Sequence, residues 1–183
     1  MKTPTRQTGF TLIELAIVLA IVSLLMGSAV PSLADYIKSV RVSGATSDLY
    51  SAILFARSEA VKSNQHVVLC KSADAMLCVD SGGWEQGWIA FEDSNGDGVH
   101  GASEPILLRG QPMAGGLRVT GNGSLARYVS YAPDGMAKLV GGGFQAGTIT
   151  VCRQSLEAGD ARQIIMNAGG RPRMQKQAVA SCA

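Results

Sequence analysis

A long apolar stretch near the start of the chain limits what it can be more than any other feature. Residues 1–9 are polar and carry Lys2 and Arg6 but no acid, whereas residues 10–30 are apolar apart from Glu14 and a few small or hydroxyl side chains. As a helix, those 21 residues reach about 31 Å, enough to span the hydrocarbon core of a bilayer. The positive flank predicts that the short end stays in the cytoplasm and the remainder lies across the membrane. A secretory signal peptide would have a shorter apolar core of about 7–15 residues and a small-residue cleavage site. Ser28-Ala29-Val30-Pro31 is a poor match to such a site. A plain membrane anchor leaves Glu14 unexplained, because a carboxylate at mid-membrane costs about 2.5–3.5 kcal/mol on insertion scales. A local explanation is a capping box, Thr11-x-x-Glu14, at the interface.

The remaining sequence reads as a helix followed by a sheet. Over residues 32–64, Leu33, Ile37, Val40 and Gly44 fall on one stripe, and Leu49, Ile53, Ala56 and Ala60 continue it. An interruption is expected near Ser43-Gly44 and an end at Asn64-Gln65. Short apolar runs follow at 66–70, 76–79, 87–91, 106–108, 117–120, 128–131, 147–152 and 162–167. Turn residues such as Asn95-Gly96, Asp134-Gly135 and the 141–143 glycines separate them. The expected class is α+β, a long helix packed on mostly antiparallel sheet. Charged residues are only 16%, too few for a disordered chain of high net charge. Aromatics at 5% argue against a stacking platform for single-stranded nucleic acid.

Gly9-Phe10-Thr11-Leu12-Ile13-Glu14-Leu15, the apolar run and Pro31 together resemble a type IV prepilin. The resemblance implies cleavage by a prepilin peptidase between Gly9 and Phe10 and methylation of the new N-terminal Phe10. Residues 1–9 would be the leader peptide, 10–31 the transmembrane and assembly helix, and 32–183 a periplasmic globular domain with a basic tail. Glu14 would pair with the free amine of a neighbouring subunit's Phe10 and so set the register of assembly, since a buried carboxylate needs a partner. Ala56-Arg57-Ser58-Glu59-Ala60-Val61, Val67-Val68-Leu69-Cys70 and Gly83-Trp84-x-x-Gly87-Trp88-x-x-Phe91-x-Asp93 resemble the FimT/GspH group of minor pilins and pseudopilins.

With that topology the four cysteines lie in an oxidising compartment. Three pairings are possible; Cys70–Cys78 across a short segment and Cys152–Cys182 at the C-terminus are favoured. Trp84 and Trp88 are read as packing residues rather than a recognition pair. Asp93, Asn95, Asp97 and Glu104, with Gly96, fit the spacing of a calcium loop. Their flanks read as strands, so an ordinary turn is the preferred reading and no metal or other cofactor is expected. His66 and His100 are the only histidines, and no nucleophile-elbow, metalloprotease or phosphate-loop motif accompanies them, so an enzyme is not expected.

Charge is segregated along the chain. Residues 10–104 hold 5 basic and 11 acidic side chains, and residues 105–183 hold 9 basic and 3 acidic. A segregated basic half is the footprint of a polyanion partner. Gly170-Arg171-Pro172-Arg173 resembles the GRxR motif in the C-terminal tail of FimT proteins that bind DNA for natural transformation. The resemblance implies capture of extracellular double-stranded DNA, with Arg171 and Arg173 as main contacts, Arg162 and Lys176 as secondary ones, and Gly170 permitting close approach. The partners would be duplex DNA, other pilins, the prepilin peptidase and the inner membrane. The protein would be an inner-membrane prepilin first and part of a surface pilus after assembly. Two other readings remain. One is a structural subunit, either priming pilus assembly or acting as a GspH-type pseudopilin of type II secretion. The other is a calcium-stabilised adhesion or assembly module.

Overall fold

The structure, a computed structural model, describes residues 9–167 and 169–182, without the side chains of residues 28–32, 34 and 35. Apart from Gly9, the expected leader therefore lies outside the described residues. The chain divides into two compact units, residues 1–39 and 40–183. One helix, α1, runs over Leu12–Ser63.

In the first unit, α1 begins with a reciprocal cap. Thr11 N–H and Oγ1 donate to Glu14 Oε2 at 2.8 and 2.9 Å, and Glu14 N–H donates to Thr11 Oγ1 at 3.3 Å. The capping box foreseen from Thr11-x-x-Glu14 is thus formed within the chain. Phe10 is 93% exposed, and apolar side chains stay exposed through Met26. A helix apolar all round belongs in a membrane or in the interior of something larger. Among the described residues no helix is long and apolar enough to cross a membrane; the described side chains of this run end at Gly27.

In the second unit, α1 continues without the expected break at Ser43-Gly44. A glycine in a helix costs about 1 kcal/mol relative to alanine. Here Val42, Ala45, Thr46 and Leu49 are buried on the same stretch, so packing overrides that weakness. The Thr46 hydroxyl donates to Val42 O at 2.6 Å, which also occupies the buried polar group. The helix stops at Ser63, where Asn64 takes a left-handed conformation (φ 56°) that asparagine tolerates well. Of the predicted stripe, Leu49, Ile53, Ala56 and Ala60 are fully buried, whereas Leu33, Ile37 and Val40 are exposed.

The eight strands are β1 (Val67–Lys71), β2 (Trp88–Glu92), β3 (Ile106–Gly110), β4 (Leu117–Gly121), β5 (Tyr128–Tyr131), β6 (Gly147–Arg153), β7 (Gly159–Met166) and β8 (Pro172–Val179). They form two antiparallel sheets, β3-β2-β1-β5 and β4-β6-β7-β8. The helix stripe packs with Val67, Leu69, Val129 and Tyr131 of one sheet and Val119, Ile149, Val151 and Ile164 of the other in one core. β1 is buried on both faces, because Val68 and Cys70 join Ile89 and Phe91 in a second cluster. That double burial explains its unbroken apolar text. Trp84 is buried and donates its indole N–H to Leu125 O at 2.9 Å. Trp88 is buried in the same core, so both tryptophans are packing residues.

Two sequence expectations fail here. Residues 76–79 form a loop rather than a strand, because the Asp74 carboxylate accepts the N–H groups of Met76 and Leu77 at 2.8 and 2.9 Å and curls the chain. A disulfide joins Cys70 to Cys78 and closes this loop. The C-terminal stretch, read as a tail, is instead strand β8, paired with β7 from Met166↔Pro172 to Gly159↔Val179. The second disulfide, Cys152–Cys182, ties down the residues beyond it.

Candidate nucleic-acid interface

The turn from β7 to β8 is built around Gly170. Its N–H donates to Asn167 O at 2.9 Å, and its φ of +69° is one that side chains disfavour. A Cβ at this position would stand 2.6 Å from Gly135 O and 2.8 Å from Ala137 N. Gly170 is buried, so its role is to make the turn fit against the 132–137 loop rather than to meet a ligand. Two tyrosines hold the turn from below. Tyr131 donates its hydroxyl to Gly170 O at 2.9 Å, and Tyr50 of α1 donates to Pro172 O at 3.3 Å. Burial pushes the Tyr131 phenol well above its ordinary range, so it remains a donor at any physiological pH.

On this support the arginines alternate with a buried proline. Arg171 and Arg173 are exposed and Pro172 is buried between them. Pro172 is the first residue of an edge strand, a position where its missing N–H costs no ladder hydrogen bond.

Register separates the four predicted cations. Residues opposite one another in an antiparallel pair share a face. Ile164↔Met174 and Met166↔Pro172 mark the inner face, since Ile164 and Met166 belong to the core. Arg162↔Lys176 shares that parity, so both sit at the margin of the inner face. Ile165↔Arg173 and Gln163↔Gln175 have the other parity and share the outer face. The sheet thus does not bring Arg162 and Lys176 together with Arg171 and Arg173.

On the outer face a hydrogen-bonded row crosses three strands. Gln163 Nε2 donates to Thr150 Oγ1 at 3.4 Å, Gln175 Nε2 to Gln163 Oε1 at 3.1 Å, and Arg173 Nη1 to Gln175 Oε1 at 3.1 Å. Nothing in the sequence marks Tyr50, Tyr131, Gln163 or Gln175 for these positions, because the pairing that assembles them is long-range.

Four of the nine basic residues of the second half are already engaged. Arg118 pairs with Glu85 at 3.4 Å, Arg127 with Asp80 at 2.7 Å and Lys138 with Asp134 at 2.7 Å, and Arg109 donates to Ala75 O at 3.0 Å. Among the described residues Arg162, Arg171, Arg173 and Lys176 pair with no carboxylate. Together with Arg153 of β6, which also has no carboxylate partner among the described residues, they are the cations of this half left available to an outside anion.

The calcium-spaced loop is filled by its own backbone. Asp93, 3% exposed, accepts from Asp97 N–H at 3.1 Å and Gly98 N–H at 2.9 Å. Glu104, 6% exposed, accepts from Ser94 N–H at 3.0 Å and Gly101 N–H at 2.8 Å. Asn95 and Asp97 bond each other, with Asn95 Nδ2 to Asp97 Oδ2 at 2.9 Å. Burial raises the Asp93 pKa, and the nearby Glu104 charge adds to the rise, while N–H donors from Gly98, Gly96 and Asp97 oppose it. Among the described residues no three His, Cys, Asp or Glu side chains group as a metal site requires. His100 sits edge-on to Phe91 with centroids 5.2 Å apart, and its Nε2 lies 3.0 Å from Glu104 O.

Comparison with known proteins follows the fold. The family profile described as "Type II transport protein GspH" matches residues 45–170, and the prokaryotic N-terminal methylation motif matches residues 4–30. No curated protein matches the chain. Two crystal forms of the type IV minor pilin FimU of Pseudomonas aeruginosa are similar, at 17% and 19% identity with TM-scores of 0.55 and 0.53. They cover 81% and 77% of this chain, and 99% of the FimU chain in both cases. The minor pseudopilin EpsH from the type 2 secretion system of Vibrio cholerae is similar at 12% identity with a TM-score of 0.51, covering 74% of this chain and 96% of that one. At such identities the likeness is one of fold, a helix packed on antiparallel sheets. The profile match extends over well over half of the sequence, and the chain belongs to the GspH family of minor pilins and pseudopilins, with an N-terminal methylation motif ahead of its family domain.

Proposed function

We propose that this chain is a minor type IV prepilin that captures double-stranded DNA through Arg171 and Arg173. Prepilin peptidase cuts after Gly9 and methylates Phe10. Residues 10–31 hold the subunit in the inner membrane, with residues 32–183 in the periplasm, until it enters a pilus reaching the cell surface. In the fibre, Glu14 takes the amine of a neighbouring Phe10 as its partner.

The observation that carries the DNA reading is the pair of exposed arginines without carboxylate partners, separated by a buried proline. Two residues of strand span about 6.6 Å, a spacing short enough for both guanidinium groups to reach phosphates of one duplex strand. Guanidinium groups fork onto phosphate oxygens. Binding of this kind reads no sequence and weakens with salt. Arg162 and Lys176, on the other face, add to the local positive potential within a Debye length of about 10 Å. Gly170 shapes the turn. A few contacts per subunit give weak binding, which several copies in a fibre strengthen by avidity.

The test is fluorescence anisotropy of labelled duplex DNA titrated with the full chain in a neutral detergent, over a range of salt. Two phosphate contacts give a log–log salt slope of about −1.8, and Arg171→Gln/Arg173→Gln abolishes it. No binding by the wild type at low salt sinks the reading. A second reading, a structural subunit of a pilus or of a type II secretion pseudopilus, is favoured by the family profile and by the exposed apolar helix. It predicts that outcome.

A further inference from the structure

We propose that Gln175, held by Gln163 and Thr150, is a positioning residue for Arg173 and sets how tightly the arginine pair binds a phosphate backbone. The inference rests on the DNA reading above and deepens it. An isolated surface arginine samples many rotamers, and freezing a long side chain on binding costs affinity. Arg173 is not isolated. Its Nη1 donates to Gln175 Oε1 at 3.1 Å, Gln175 Nε2 donates to Gln163 Oε1 at 3.1 Å, and Gln163 Nε2 donates to Thr150 Oγ1 at 3.4 Å. Each amide is used as both donor and acceptor, so the row has a direction that begins on the guanidinium and ends in the middle of the sheet. Register fixes the anchoring ends, since Thr150↔Gln163 and Gln163↔Gln175 are directly opposed pairs.

The acceptor that meets Arg173 is neutral. A carboxylate there would hold the guanidinium more strongly but would cancel the charge a phosphate must see. An amide holds it and leaves the charge in place. It also occupies only one of the five guanidinium N–H donors, leaving four for phosphate oxygens. Arg171, by contrast, has no side-chain brace among the described residues and is fixed through its backbone, with its N–H donating to Asn167 Oδ1 at 3.4 Å. The two arginines are therefore unequal, one pre-aimed and one free to adapt.

The experiment compares wild type, Gln175→Ala, Gln163→Ala and Arg173→Gln in the same full-chain titration, with a thermal melt of each. The expected result is that Gln175→Ala binds duplex DNA about three- to tenfold more weakly with its salt slope unchanged, because the number of phosphates met is the same. Gln163→Ala shows a smaller loss of the same kind. Arg173→Gln flattens the slope by about 0.9, the signature of one lost phosphate contact. Gln175→Ala binding within twofold of wild type overturns the proposal. So does a slope change equal to that of Arg173→Gln, since it would make Gln175 a direct contact. A fall in affinity matched by a proportionate fall in melting temperature assigns the row to sheet stability and also overturns it. If the wild type binds no DNA, the DNA reading falls and this inference falls with it; loss of the Gln175 effect alone leaves that reading standing.

Discussion

Replacing Gly170 with alanine separates a structural glycine from a contact glycine. Its φ of +69° places an added side chain in the left-handed region, at a cost of about 1–2 kcal/mol. The new Cβ would also stand 2.6 Å from Gly135 O and 2.8 Å from Ala137 N, both backbone atoms that no rotamer change can move. Relief requires the turn to lift, which weakens the Tyr131 hydroxyl bond to Gly170 O, a bond of 2.9 Å in a buried setting, worth about 1 kcal/mol. Together these give a loss of about 3 kcal/mol, or a melting temperature lower by about 6–12 °C for a domain of this size. Gly169→Ala is the internal control. Its φ is not left-handed, and the nearest atom to its Cβ is Asn167 Oδ1 at 3.5 Å, so its stability should change by less than about 0.5 kcal/mol. Denaturant unfolding of both variants in detergent, followed by DNA anisotropy, reads the two effects apart. A Gly170→Ala protein as stable as Gly169→Ala would refute the reasoning. If that stable variant also lost DNA, Gly170 would be a contact after all.

The Cys152–Cys182 bridge closes a separation of 30 residues, and its loss through Cys152→Ser/Cys182→Ser should cost about 3–4 kcal/mol in the chain-entropy account; a melting temperature within 2–3 °C of wild type, which corresponds to about 1 kcal/mol, would contradict it. The Asp74 carboxylate, held below its ordinary pKa by the N–H groups of Leu77 and Met76, contributes stability above the unfolded carboxylate range and loses it as pH falls through its depressed folded pKa. The stability gap between wild type and Asp74→Ala should therefore be constant near neutrality and narrow below about pH 4, and a gap that stays constant down to pH 2 would show that the carboxylate is not what holds the 74–77 turn.

What could be read from sequence is what depends on near neighbours along the chain. The stripe Leu49, Ile53, Ala56 and Ala60, the helix end at Asn64 and the capping box at Thr11 and Glu14 each follow from spacings of a few residues, and the structure shows all three. β8 was not legible as a strand because an edge strand with one exposed face needs little apolar text, and Pro-Arg-Met-Gln-Lys-Gln has little. The consequence reached the candidate site. Counting Arg162 and Lys176 as secondary contacts beside Arg171 and Arg173 takes no account of register, whereas pairing of β8 with β7 fixes parity and sends Arg162 and Lys176 to the other face. Met76–Val79 failed in the opposite direction: its residues suit a strand, but Asp74, two positions before Met76, offers the backbone a turn that a period count does not register. The spacing of Asp93 to Glu104 was legible, whereas the backbone N–H groups that these two carboxylates accept were not.

The cap on α1 has a bearing on supply. A carboxylate waiting in a bilayer without a partner would make every unassembled subunit costly to keep, and a cell would hold few of them. Because Thr11 already gives Glu14 two hydrogen bonds in the lone chain, a monomer can be stockpiled in the membrane that the proposed function assigns it. Under the proposed function, entry into a fibre would exchange this satisfied partnership of Glu14 for another rather than rescue a bare carboxylate.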